Sequence, residues 1–304
     1  MPRLALQKAH PMPTGLLAAA LSYALWGLFP LYFRQVAAVP AFEIVLHRSV
    51  WSMAFVMLIL LWQRQWAWVG EVVKQPRTLG IFMVSALLLS GNWLIYVWAV
   101  NNGRVLEASL GYFINPLVNV ALGMLFLKER LRPAQKGALA LAVAGVAWLT
   151  WTAGVPPWIA LSLALSFGVY GLLRKTASLG ALEGLALETA LLAPLAVPAL
   201  LWLSFHGGTL STADAPTWAW LLFAGPLTAV PLLLFAHGAR RVTMATLGLL
   251  QYLAPTIQFL LAVWLFQEPL RPERLAGFAL IWAALAVYSA ESLWRLRQGA
   301  TAPA

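Results

Sequence analysis

The sequence predicts an all-α polytopic membrane protein of ten transmembrane helices, arranged as two inverted five-helix repeats. Three observations lead there. Of 304 residues, 62% are hydrophobic and only 10% charged, and the mean hydropathy is +0.79. A soluble domain carries about 25% charged residues, so water is not the solvent for most of this surface. The apolar residues gather in ten runs separated by short connections. One stretch, Ser109–Pro133 (SLGYFINPLVNVALGMLFLKERLRP), nearly recurs at 245–272 (ATLGLLQYLAPTIQFLLAVWLFQEPLRP). Pro116 and Pro255 lie 139 residues apart, as do Glu129 and Glu268, and Pro133 and Pro272. A repeat at that offset divides the chain into two copies of one unit.

The runs fall near 14–34, 42–63, 78–101, 106–127, 134–153, 157–174, 182–205, 216–237, 244–267 and 274–294. Most approach the ~20 residues that one bilayer crossing needs at a rise of ~1.5 Å per residue. They are uniformly apolar, whereas barrel strands would alternate over about ten residues, so the spans are helices. Run 1 follows Arg3 and Lys8 as a signal peptide would, but it is longer than a secretory apolar region and is expected to be retained. The expected division is a cytoplasmic N-terminus at 1–13, one repeat at 14–153, the inverted repeat at 154–294, and a cytoplasmic tail at 295–304.

Charge sets the orientation. With both termini in the cytoplasm, the cytoplasmic segments hold fifteen Lys and Arg and the opposite side five, as the positive-inside rule requires. Five helices per unit is an odd number, so the second unit enters the membrane upside down. Its linkers carry the reversed bias. The 4–5 linker holds Lys128, Arg130, Arg132 and Lys136 against Glu129; its counterpart offsets Arg271 and Arg274 with Glu268 and Glu273. This is the plan of secondary transporters, with the solute site near the midplane between the halves. The net charge of +10 is accounted for by this scatter of single charges, and no nucleic-acid partner is expected. The absence of cysteine removes disulfides, thiolate nucleophiles and Cys-ligated metals.

Polar residues within the spans recur at helical spacing. Ser22, Trp26 and Pro30 do so in run 1, and Asn92 and Tyr96 in run 3. Tyr112, Asn115 and Asn119 line one face of run 4, Ser162, Ser166 and Tyr170 one face of run 6, and Gln251 and Gln258 one face of run 9. Gln251 and Gln258 each lie 139 residues beyond Tyr112 and Asn119. Interhelical hydrogen bonds of ~0.6–2 kcal/mol are the plain reading of any one of them. Stripes on corresponding helices of both units favour a shared polar cavity. The candidate solute-binding set is Trp26, Asn92, Tyr96, Tyr112, Asn115, Asn119, Ser166, Tyr170, Gln251, Tyr252 and Gln258. Amides that donate and accept, beside amphipathic aromatic rings, suit a small amphiphilic or zwitterionic solute. Pro30, Pro116 and Pro255 are candidate hinges, because each frees the carbonyl four residues earlier; a packing kink is the alternative. Pro226 and Pro231 add a candidate break in run 8.

Ionisable residues within spans are few: Glu43, His47 and Arg48 in run 2, Glu188 in run 7 and His237 in run 8. Aligning Arg34 with Arg174 sets Glu43 against Glu183 and Arg48 against Glu188. Proton coupling through Glu43, His47 or Glu188 is the functional reading; interfacial anchoring or structural pairing is the other. No second His or Cys stands at metal-ligand spacing, so no metal is expected, and no cofactor. There is no GxxxxGK[ST], HExxH or GxSxG, so neither nucleotide hydrolysis nor local hydrolase chemistry is expected.

Four blocks carry a resemblance: AALSYALWGLFPLYF (19–33), EIVLHRSVWS (43–52), GNWLIYVWAVNNGRVLEASLGYFINPLVN (91–119) and LGLLQYLAPTIQFLLAVWLFQEPL (247–270). Through them the chain resembles the RarD-type permeases of the EamA branch of the drug/metabolite transporter superfamily. The resemblance implies two five-helix inverted repeats, a bacterial inner-membrane location, and export or exchange of small metabolites or drugs. It also implies a cavity surrounded by helices 1, 3, 4, 6, 8 and 9. The expected function is a non-ATP carrier working by alternating access, with a small-molecule substrate and membrane lipid as partners and a homodimer left open. The alternatives are a lipid-handling protein of scramblase type and a non-transporting membrane subunit.

Overall fold

Every one of the ten apolar runs is helical. The computed structural model describes residues 12–64, 66–102, 104–154, 157–267 and 272–300; Arg3, Lys8 and, in the second copy of the repeated stretch, Glu268–Arg271 lie outside the described residues. Run 1 forms α1 (Met12–Gly27) and α2 (Phe29–Gln35), and run 2 forms α3 (Ala41–Gln63). A short α4 (Ala67–Val72) leads to α5 (Pro76–Asn101), α6 (Val105–Phe126), α7 (Pro133–Ala153), α8 (Trp158–Thr176) and α9 (Ala181–Phe205). After the single-turn α10 (Thr209–Thr212) come α11 (Ala215–Ala239), α12 (Met244–Gln251) and α13 (Leu253–Leu260). A π-helical turn at Leu261–Leu265 and α14 (Pro272–Ala300) complete the chain. Eight of these stretches are long and apolar enough to cross a membrane; α8 is not among them, and the apolar part of α14, Leu275–Glu291, is shorter. Leu58, Leu125, Trp151 and Leu195 stand exposed on the outside, where lipid rather than water would meet them.

Backbones approach closely where side chains are small. A Cβ on Gly248 of α12 would lie 2.5 Å from the carbonyl oxygen of Pro116 in α6, so only glycine permits this crossing. Gly145 of α7 and Gly277 of α14 meet in the same way, a Cβ on Gly145 falling 2.9 Å from the Gly277 carbonyl. Other extensive contacts run α6 to α8, α3 to α11, α1 to α11, α3 to α9, α5 to α8, α1 to α13 and α5 to α9. The largest core gathers Tyr23, Val56, Leu60, Tyr170, Leu185, Phe235, Met244 and Leu247 from six helices.

Polar links define two ends. At one, Glu129 accepts hydrogen bonds from the backbone N–H groups of Met244 (2.8 Å) and Ala245 (3.2 Å), capping α12. Lys175 Nζ there donates to the carbonyls of Ala239 (3.0 Å) and Val242, and Arg240 to that of Leu179. At the other end, Thr209 N–H donates to Glu43 at 2.8 Å, and the Arg34 guanidinium lies 5.5 Å from the Phe266 ring centroid. Glu129 reaches α12 because the chain turns at Lys128, whose φ is 55°; Gln267, 139 residues later, takes the same φ.

The prolines differ in effect. α1 and α2 part at Leu28, which leaves Pro30 in the first turn of α2; α12 and α13 part at Tyr252, which leaves Pro255 in the first turn of α13. A missing N–H is harmless in a first turn. Pro116 instead sits inside α6, and Pro226 and Pro231 inside α11, both of which run unbroken.

Candidate functional site

Where the breaks of run 1 and run 9 face each other, the helices leave a cavity of about 170 Å³. Its wall is drawn from α1, α2, α3, α5, α6, α8, α11, α12 and α13. Tyr23, Trp26, Phe29, Phe33, Trp93, Tyr96, Tyr112 and Phe167 supply rings; Asn92, Asn115, Gln251 and Gln258 supply amides; Arg48 supplies the one charge among the described lining residues. Pro30 and Pro255 also line it.

The amides are oriented by bonds that use part of each. Asn92 Nδ2 donates to Leu163 O and to Ser166 Oγ, both at 2.8 Å, so its free group toward a solute is the Oδ1 acceptor. Asn115 Nδ2 donates to Ala164 O at 2.8 Å. Asn119 Nδ2 donates to Asn115 Oδ1 (3.1 Å) and Gln251 Oε1 (3.0 Å), which leaves Gln251 Nε2 as a donor. Gln258 Nε2 donates to the Trp26 carbonyl at 3.3 Å, the group that Pro30 frees. One released carbonyl is therefore satisfied by a residue of the opposite half of the chain.

Of the sequence-derived set, the structure brings Trp26, Asn92, Tyr96, Tyr112, Asn115, Gln251 and Gln258 to one wall. Four lie behind it. Asn119 is 1% exposed and braces Asn115 and Gln251. Ser166 donates to the Ser162 carbonyl at 2.7 Å and accepts from Asn92. Tyr170 is buried and stacks on Phe235, and Tyr252 donates to the Phe113 carbonyl at 3.2 Å. The faces of α8 and α12 explain this. On α8 the lining residues are Leu163 and Phe167, one position on from the serines; on α12 Gln251 lines the cavity and its neighbour Tyr252 turns into the core. Beneath the cavity Tyr23, Trp26, Phe167, Tyr170 and Phe235 form a ring cluster with centroids 5.4–6.1 Å apart, on the side of the Glu129 cap.

The ionisable residues divide. Glu43 is held by Thr209 N–H. His47 Nδ1 accepts from Trp51 Nε1 at 3.0 Å, and its ring stands edge-on to Trp218. Glu188 accepts from Ser85 Oγ at 2.5 Å and pairs with Arg174 at 3.7 Å, both side chains 1% exposed. None of the three lines the central cavity; Glu188 lines a smaller one of about 60 Å³ that shares Arg48 with it. Sequence reasoning missed Arg48 as a wall residue, although its register opposite Glu188 singled it out. Outside the spans, Asp214 caps α11 by accepting from Thr217 N–H at 3.0 Å; the Thr217 hydroxyl, and after it this backbone bond, hold its carboxyl below the usual range.

A model of the EamA-like transporter family matches twice, over residues 13–151 and 157–290. The chain belongs to the EamA-like transporter family. Within it the chain is of RarD type. It is 48% identical to Protein RarD of Streptomyces exfoliatus, covering 94% of this chain and 91% of that one. It is 43% identical to Protein RarD of Escherichia coli, covering 93% and 96%. An uncharacterized transporter of Pseudomonas aeruginosa is 52% identical, covering 90% and 92%. A solved crystal structure 21% identical superposes with a TM-score of 0.70, covering 90% of this chain and 96% of that one. The EamA-family chain is a multi-pass membrane protein with transporters as relatives.

Proposed function

We propose that this EamA-family chain is a secondary transporter that moves a small amphiphilic organic solute across the bacterial inner membrane by alternating access, in export or exchange. The observation that carries this reading is a central cavity, walled by both halves and closed at one end by the aromatic cluster, Glu129 and Lys175. A ten-helix inverted arrangement has two supports. The family model matches the chain twice, and exchanging each helix with its counterpart five runs away maps most of the inter-run contacts onto one another. With both termini in the cytoplasm, the closed end is the cytoplasmic one and the cavity is occupied from outside.

The breaks at Leu28 and Tyr252, marked by Pro30 and Pro255, are the hinges of this reading. Trp26, Tyr96, Tyr112, Asn115, Gln251 and Gln258 contact the solute, and Asn119 holds two of them in place. The test is a thermal-shift screen of the purified chain against amino acids, amines, nucleosides and amphenicols, followed by proteoliposome counterflow. Asn115→Ala and Gln251→Ala are each expected to weaken a hit by roughly tenfold, the worth of one hydrogen bond in a dry site. Undiminished binding by both variants would sink the assignment of the cavity.

A further inference from the structure

Arg48 is the group that the proposed transport reading does not use. It is 4% exposed, enters the cavity wall from α3, and lies among aromatic rings. Its Nε donates to Thr228 Oγ1 at 2.8 Å. Its guanidinium carbon sits 3.7 Å from the Trp93 ring centroid and 5.2 Å from that of Phe29. Its Nη1 is buried without a hydrogen-bond partner. Among the described residues no carboxylate lies within 4.0 Å of it. Glu43 is bound to Thr209; Glu188, which shares the smaller cavity with Arg48, engages Arg174 and Ser85 through Oε1, while its Oε2 is buried without a hydrogen-bond partner and lies beyond ion-pair distance of Arg48.

A buried guanidinium without a counter-charge is costly, and it is tolerated where something else supplies the missing anion. Cation–π contacts and one hydroxyl offset part of that cost. The rest is left for whatever occupies the cavity. We propose, on the reading that this cavity is the solute site, that its ligand is an organic anion whose carboxylate or equivalent acid group is bound by Arg48 and whose apolar body packs against Trp26, Tyr96 and Phe167. A free ammonium would find no carboxylate among the described lining residues. The solute is therefore a net anion, neither an amine nor a zwitterion.

Two matched series test this: 3-phenylpropanoate, 3-phenylpropanamide, phenethylamine and phenylalanine, and hexanoate, hexanamide and hexylamine. Binding to the purified full chain is measured by thermal shift and tryptophan fluorescence. A carboxylate is expected to bind roughly tenfold or more tighter than its amide or amine, as a charge-assisted bidentate pair implies, and phenylalanine is expected to bind more weakly than 3-phenylpropanoate. Arg48→Gln removes the preference and leaves amide binding in place; Arg48→Lys keeps it in reduced form. The wild-type series decides even should Arg48→Gln fail to fold. Equal binding of amide or amine, no binding of any carboxylate, or a preference that survives in folded Arg48→Gln each overturns the inference. Counterflow separates it from the transport reading. Selective carboxylate binding without counterflow overturns transport and supports the anion site. Counterflow of amides or amines indifferent to Arg48→Gln supports transport and overturns the anion site.

Discussion

Replacing one member of the Arg174–Glu188 pair should destabilise the protein far more than replacing both. The two charges are 3.7 Å apart and each side chain is 1% exposed. At an effective dielectric constant of ~20 that separation corresponds to about 4.5 kcal/mol of attraction. Their desolvation consumes much of it, so the pair as a whole contributes little, but a surviving partner left alone pays in full. Glu188→Gln keeps a hydrogen-bonding group toward Ser85 and strands Arg174, and is expected to lose ~3–5 kcal/mol. Arg174→Met should lose at least as much, because Arg174 also donates to the carbonyls of Gly180 and Ala181. In the double variant the stranded charge is gone, and the coupling should reach ~3 kcal/mol. The assay is reversible unfolding of the purified chain in mixed micelles, read as a double-mutant cycle. A coupling under ~1 kcal/mol refutes the argument that this pair ties α8 to α9. So does a Glu188→Gln protein of unchanged stability whose transport no longer responds to a proton gradient, since Glu188 would then be a proton carrier.

Gly248→Ala puts a methyl carbon 2.5 Å from the Pro116 carbonyl oxygen, a contact that backbone cannot yield to cheaply. It should lower stability by ~1–3 kcal/mol and suppress counterflow in the same micelle and vesicle assays, whereas Gly137→Ala, which meets nothing within 4 Å, should do neither. Glu129→Ala uncaps α12 and is expected to lose ~1 kcal/mol. In this cysteine-free chain, a cysteine at buried Ala239 should then label faster from the capped end than it does with Glu129 intact; equal labelling would remove Glu129 from the seal.

The helices were legible because lipid demands uniform apolarity of a span, and every such run is a helix. The cavity was legible in part, for the same reason that its errors occurred. Helical spacing identifies a polar stripe but not the rotation of the helix that bears it. On α6 the stripe of Tyr112 and Asn115 faces the cavity. On α8 the serines bond carbonyls of their own helix, and the apolar Leu163 and Phe167 face inward instead. Tyr252 and Gln251 are neighbours in sequence and stand on different sides of a wall. Proline likewise shows that a hydrogen bond is missing without showing whether the helix parts there. Pro30 and Pro255 fall in first turns, while Pro116 is absorbed into an unbroken α6 that α12 presses against. Arg48 reads in the sequence as a charge near a helix end, free to reach the interface. Only packing puts Trp93 and Phe29 around it and makes it part of the wall.

The contact of Gly248 with Pro116 joins two backbones with no side chain of Gly248 between them, and a joint of that kind behaves as a fulcrum. Four residues of α12 separate Gly248 from Met244, an arm of about 6 Å, and seven of α6 separate Pro116 from Ser109, an arm of about 10 Å. A relative rotation of roughly 10° moves the first by about 1 Å and the second by about 2 Å. The smaller displacement is enough to carry a 2.8 Å bond such as that of Met244 to Glu129 beyond hydrogen-bonding range. The larger one acts at the wall of the cavity. Lever arms of unequal length thus let one modest rotation unfasten the closed end while reshaping the chamber above it, without repacking at the pivot.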